Sequence, residues 1–226
     1  MIEVTDLYRT YHMGSVRVPA LRGITFTVNR GDFIGLMGPS GSGKSTLLHL
    51  LGVLDYPTKG KILIDGIDIS ALSDDERTDF RLNKMGYIFQ EYALVPELSV
   101  MENVELTAMA QGKSDAECRK ASMDVLDIVG LSHRLNHLPG ELSGGEQQRV
   151  AIARSMVNRP LILFADEPCA NLDTENSKVV LGKFHAINEE LGQTIVMVSH
   201  EEWHKEYFHR IIYLKDGQIE REEQQE

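Results

Sequence analysis

Phe33-Ile-Gly-Leu-Met-Gly-Pro-Ser-Gly-Ser-Gly-Lys-Ser45 decides the fold of this chain. Its first five residues, Phe33–Met37, read as a buried strand bounded by Gly31 and Gly38. The remainder, Gly38–Ser45, matches G-x-x-x-x-G-K-[ST], the phosphate-binding loop. A helix is expected to start near Gly43 and run to about Leu51. A strand before and a helix after separate a phosphate cradle from an ordinary Gly/Ser-rich turn. Glycines let backbone N–H groups approach phosphates with no Cβ in the way, and the helix N-terminus adds partial positive charge. Gly38, Pro39, Ser40, Gly41, Ser42, Gly43, Lys44, Ser45 and Thr46 are therefore the expected nucleotide contacts. Within them Lys44 is expected to neutralise the β- and γ-phosphates, and Ser45 to ligate Mg2+.

Downstream, Leu161-Ile-Leu-Phe-Ala-Asp-Glu-Pro168 is a second apolar strand that ends in a carboxylate pair. A buried strand delivers Asp166 and Glu167 to a fixed place, at the strand end where such sheets bind ligands. Asp166 is expected to share the Mg2+ of Ser45. Between the two lies Leu142-Ser-Gly-Gly-Glu-Gln-Gln-Arg149, where Ser143 and Glu146 form a capping box. Its Gly-Gly pair at a helix N-terminus is also an anion site.

The rest of the chain follows an αβ rhythm. Ile2–Thr10 and Ala20–Val28 alternate as strands, Lys61–Asp65 and Tyr87–Phe89 are short strands, and Ser73 with Glu76 caps a helix. From about Glu91 to Leu142 the strand signals vanish. Ser99 with Glu102 and Ser114 with Glu117 open helices there, and Gly130 closes one. The expectation is an inserted helical subdomain, about 91–142, in a core made of 1–90 and 143–226. Strands 161–166, 194–198 and 210–215 and a helix at about 174–190 complete an α/β fold with a mostly parallel sheet. Asp216-Gly217 turns the chain into a last short strand, and the charged tail Glu220–Glu226 is expected to fray.

The chain has 226 residues, enough for one α/β domain with a subdomain. A formal net charge of −11 argues against sequence-independent nucleic-acid binding, which needs a basic face. No apolar run reaches the length of a spanning helix, and no signal-peptide pattern opens the chain, so a cytoplasmic location is expected. Cys118 and Cys169 are too few for a disulfide framework and read as small packing residues. Cys169 stands two residues after Glu167, so an alkylation-sensitive thiol near the nucleotide is the alternative reading. His200-Glu-Glu-Trp-His204 matches the zinc-protease pattern H-E-x-x-H. The third histidine of the longer motif is missing, since Arg210 stands in its place, and so is its glycine, replaced by Tyr207.

The order of the three nucleotide motifs, with Leu-Ser-Gly-Gly-Glu between the other two, resembles the ATP-binding cassette (ABC) ATPases from Tyr11 to about Gly217. The resemblance implies a P-loop NTPase core with an N-terminal antiparallel β subdomain and a helical insert. It implies that Glu167 is the general base that polarises the attacking water. Gln90 would contact Mg2+ and water, His200 would contact the γ-phosphate, and Tyr11 would stack on adenine. Ser143, Gly144, Gly145 and Glu146 would complete the ATP site of a second copy of the chain, with Asp173 crossing the same interface. A homodimer closed around two ATP follows, and a separate membrane-spanning permease subunit whose coupling helix sits near Gln90, with Glu91–Pro96 as rim. Such a protein lies peripherally on the inner face of the cell membrane.

Within the family, Leu54-Asp-Tyr-Pro-Thr-Lys-Gly60, Ile88-Phe-Gln90 and Glu102-Asn-Val104 resemble the ATPases of lipoprotein-release and macrolide-export systems. The chain departs from the family pattern at Cys169, Ser199 and Glu201. A soluble ABC ATPase of DNA repair or translation is the alternative of a different class. Those proteins carry coiled coils, zinc modules or two cassettes, and none is visible here. An amino-acid importer ATPase is the alternative within transport.

Overall fold

The computed structural model describes residues 1–225. Its strands are β1 (Ile2–Met13), β2 (Val16–Val28), β3 (Phe33–Met37), β4 (Lys59–Ile64), β5 (Ile67–Asp68), β6 (Met85–Ile88), β7 (Ile162–Asp166), β8 (Thr194–Val198), β9 (Arg210–Lys215) and β10 (Gln218–Gln224). Its α-helices are α1 (Lys44–Leu51), α2 (Asp74–Lys84), α3 (Val100–Met109), α4 (Asp115–Ile128), α5 (Gly144–Met156) and α6 (Thr174–Leu191).

A six-stranded sheet runs in the order β10-β9-β3-β8-β7-β6, parallel except for β10. A four-stranded antiparallel sheet, β2-β1-β4-β5, accompanies it. In the parallel strands successive residues point to opposite faces, and both faces are buried. Phe33, Met37, Leu163, Ala165, Ile195, Met197, Ile211 and Tyr213 join one apolar cluster, shared with α3, α4, α5 and α6. Their neighbours Ile34, Leu36, Ile162, Phe164, Val196, Val198, Ile212 and Leu214 join the other, shared with α1 and the antiparallel sheet. Helix α1 feeds that second cluster with Leu47, Leu48, Leu50 and Leu51.

All four Ser/Glu pairs noted in the sequence form complete capping boxes, at the starts of α2, α3, α4 and α5. In each, the serine hydroxyl accepts from the glutamate N–H while the carboxylate accepts from the serine N–H. Gly130, with φ of 75°, follows the end of α4. Helices α3 and α4 pack on each other and on α5.

Three boundaries differ from expectation. Strands β1 and β2 extend to a hairpin turn at Gly14-Ser15. Most of the added residues are exposed, and the pairing slips register near Arg9, so no apolar alternation announces the extension. Phe89 falls outside β6 and is exposed. Residues 220–224 are not frayed: they lie in β10, antiparallel to β9. Tyr213 holds them. Its ring carries the Arg221 guanidinium at 3.6 Å, and its hydroxyl donates to Glu223 Oε2 at 3.0 Å. Residue 226 lies outside the described residues.

Candidate functional site

The C-terminal ends of β3, β7 and β8 meet along one edge of the parallel sheet, where ligands bind in such folds. A cleft of about 950 Å3 opens there. It is lined by Gly38, Pro39, Ser40, Gly41, Gly43, Lys44, Ser45 and Thr46 after β3, Glu167 after β7 and His200 after β8.

The loop after β3 needs its glycines for two different reasons. A Cβ on Gly38 (φ 141°) would stand 2.1 Å from the Leu214 carbonyl oxygen. One on Gly41 (φ 77°) would meet nothing within 4 Å, so only the left-handed backbone favours glycine there. Gly43, with φ of 104°, caps α1 without a side chain. Lys44 Nζ donates to the carbonyls of Gly38 and Pro39 at 2.9 and 3.0 Å, which holds the ammonium over the loop. The Ser42 side chain takes no part in the cleft lining. Its hydroxyl is buried and has no hydrogen-bond partner.

Ser45 Oγ donates to Asp166 Oδ1 at 3.1 Å. The other oxygen, Oδ2, lies 3.5 Å from His49 Nε2. His49 was missed in the sequence, although it stands one helical turn after Ser45 on α1 and therefore on the same face. Next to Asp166, Glu167 has a left-handed backbone with φ of 46°. Its Oε2 is 3.3 Å from His200 Nδ1. Gln90 does not line the cleft. Its carbonyl accepts from Asn171 Nδ2 at 3.2 Å, which links the turn after β6 to the turn after β7.

Tyr11 stands opposite Val18 in the β1–β2 ladder, one strand beyond the cleft rim formed by Val18, Pro19 and Ala20. Its hydroxyl donates to Asp55 Oδ2 at 2.8 Å, and Arg9 covers its ring at 4.3 Å while bonding Asp55 Oδ1. Asp55, within the Leu54–Gly60 stretch, thus fixes the Tyr11 hydroxyl, a contact that the stretch itself does not announce.

Ser143, Gly144, Gly145, Glu146 and Asp173 all lie outside this cleft. Ser143 and Glu146 cap α5, and Arg134 Nε donates to Glu146 Oε1 at 3.0 Å. The backbone and side-chain bonds from Ser143, with the Arg134 charge, hold the Glu146 carboxyl below its usual range. Asp173 is the N-cap of α6: it accepts from the Asn176 N–H and from Asn176 Nδ2, both at 2.8 Å, and these bonds lower its pKa. A Cβ on Gly145 would lie 2.6 Å from Asn176 Oδ1, and one on Gly144 2.8 Å from the Tyr92 hydroxyl. The two glycines therefore also pack closely against side chains of their own chain.

A second cavity, about 130 Å3, lies behind Glu167 and His200 and is lined by Cys169, Ser177, Trp203 and His204, among others. Burial pushes the Cys169 thiol up to about 12. That overturns the alkylation reading, since a reactive cysteine needs an exposed, acidified thiol. The H-E-x-x-H reading also fails. Glu202–Tyr207 is a 3₁₀ turn, His204 is buried against Ser199, and the described residues contain no cluster able to hold a metal by His, Cys, Asp and Glu alone.

A parallel sheet with a glycine loop running into α1, and a carboxylate pair ending the strand two places away, defines a P-loop nucleotide-binding fold. The family model described as ABC transporter matches residues 21–170. The chain belongs to that family, as its ATP-hydrolysing cassette. An uncharacterized ABC transporter ATP-binding protein of Thermotoga maritima is 44% identical, with 97% of this chain and 94% of that protein aligned. The macrolide export ATP-binding/permease protein MacB of Chlorobium phaeobacteroides is 46% identical over 97% of this chain, which spans 33% of MacB. The MJ0796 cassette of Methanocaldococcus jannaschii, solved as a dimer, superposes with a TM-score of 0.90 at 42% identity, over 99% of this chain and 98% of that one. The same cassette has been solved in a dimeric post-hydrolysis state bound to ADP and Pi. Among the described residues no helix is long and apolar enough to cross a membrane.

Proposed function

We propose that the chain is the nucleotide-driven motor of a membrane transporter, and that two copies close around two ATP molecules. In this reading the cradle Gly38–Thr46 receives the phosphates and Lys44 turns from the loop carbonyls to the β- and γ-phosphates. Glu167 takes the proton of the attacking water, and His200 orients that carboxylate and the terminal phosphate. Tyr11, fixed by Asp55, flanks the adenine.

Mg2+ suits the hard oxygen pair of Ser45 and Asp166, which already lie within hydrogen-bond reach of each other. When bound, the ion neutralises charge on the phosphate oxygens. Gln90, at the end of β6, would complete that shell by turning its side chain inward.

One observation carries the dimer. Lys44, Ser45, Glu167 and His200 line one cleft, while Ser143, Gly144, Gly145 and Asp173 do not. A helix start with an anion-binding geometry has no phosphate of its own to meet, and a second copy supplies one. The dimeric MJ0796 cassette supports the same reading. The ATP/permease relatives support a membrane-spanning partner, with its coupling helix near Gln90 and Glu91–Pro96 and the cassette peripheral on the inner face of the membrane. Lipoprotein release, drug or peptide export, or force transmission is the class of work proposed.

Light scattering of Glu167→Gln with ATP and Mg2+ tests this. A doubled mass that reverts when Mg2+ is chelated is expected. A monomer under those conditions would overturn the shared-site reading.

A further inference from the structure

His204 is the one buried histidine of the chain's described residues, and the roles proposed above leave it unused. It stands four residues after His200, and its side chain turns inward rather than toward the cleft. Its Nδ1 lies 2.7 Å from Ser199 Oγ. Ser199 Oγ also accepts the Glu201 N–H at 3.2 Å, and Ser199 N–H donates to the Leu36 carbonyl of β3 at 3.1 Å. The His204 N–H donates to the Glu201 carbonyl at 3.1 Å. The two residues that flank His200 in sequence are therefore both tied to His204, one by side chain and one by main chain.

Ser199 Oγ therefore bonds both the Glu201 main chain and His204 Nδ1. His204 Nε2 has no partner and borders the cavity behind Glu167. Burying an imidazole with one ring nitrogen unsatisfied costs free energy that an apolar side chain of similar size avoids. Trp203, edge-on at 4.3 Å, packs against the ring and fixes its plane. The exposed His200 ring, by contrast, is held by its carboxylate neighbours alone.

We infer that His204 is a positioning residue: through Ser199 it sets the loop that aims His200 at Glu167 and the terminal phosphate. This inference rests on the reading of His200 given above. It adds that the accuracy of that aim comes from a buried hydrogen bond on the far side of the loop.

Steady-state ATP hydrolysis of the full chain tests it, with His200→Ala, His204→Leu, His204→Asn and Ser199→Ala alongside the unaltered protein. Loss of one buried hydrogen bond is expected to lower kcat about tenfold in His204→Leu and in Ser199→Ala, with KM for ATP held within about twofold. The double variant should fall no further than either single one. His204→Asn, whose amide can replace Nδ1, should recover most of the rate. Should His204→Leu fail to fold, Ser199→Ala, which removes only an oxygen, decides by the same kcat and KM criteria. An inactive His200→Ala beside a fully active His204→Leu or Ser199→Ala would overturn the inference and leave the His200 reading standing. A fully active His200→Ala would overturn both.

Discussion

His200 Nδ1 lies 3.3 Å from Glu167 Oε2, so the ends of β8 and β7 meet through a side-chain contact at the mouth of the cleft. The pair joins a carboxylate with a fixed backbone to an imidazole with a fixed loop. In the proposed mechanism Glu167 accepts the proton that leaves the attacking water, and His200 orients that carboxylate. Replacing Glu167 by Gln keeps the shape and removes the proposed base. Hydrolysis should fall at least about a hundredfold while ATP binding persists, as measured by phosphate release and by nucleotide retention.

The phosphate loop offers an internal contrast. Gly38→Ala places a methyl 2.1 Å from a backbone carbonyl, and backbone must move. Gly41→Ala meets open space and pays only for its positive φ. Thermal melts should show a loss of several kcal/mol for Gly38→Ala against about 1 kcal/mol for Gly41→Ala. Equal losses would mean that the carbonyl of Leu214 does not set the limit.

Gly145→Ala should act through Asn176. The added methyl displaces an amide that is bonded to Asp173, so the start of α6 and the start of α5 shift together. In a Glu167→Gln background ATP-dependent dimerisation should be lost. Asn176→Ala clears the space and should restore part of it, because Asp173 then adapts alone. Sedimentation in ATP reads both effects.

Acid should weaken the fold through His204. Burial lowers its pKa from 6.5 to about 4, against the partly offsetting pull of the Glu201 carboxylate and with a smaller downward push from His200. Above pH 6.5 the ring is neutral in both folded and unfolded chains, and the full stability is present. Between 6.5 and about 4 the unfolded chain takes up a proton that the folded chain refuses, so stability falls with pH, by roughly 3 kcal/mol when complete. Urea melts across that range should show the loss, and His204→Leu should lack this part of it.

Much of this site was legible because its signals are local. A capping box fixes both partners within three residues, and all four of them form. The phosphate loop needs only a strand, eight residues and a helix. What stayed hidden depends on residues far apart in the chain. Asp55, in the connection after α1, holds Tyr11 of β1, Asn176 fills the space beside Gly145, and Tyr213 pins the Glu/Arg-rich β10 that the charge pattern alone marks as frayed. The inward turn of Ser42 is equally invisible, since alternation along a loop does not say which hydroxyl faces the phosphates.

The left-handed backbone of Glu167 has a consequence for anyone who engineers this protein. A glycine there would relieve the positive φ, and in the proposed mechanism it would also remove the catalytic base. Selection for heat tolerance alone, with no demand for turnover, should therefore tolerate replacement at this position.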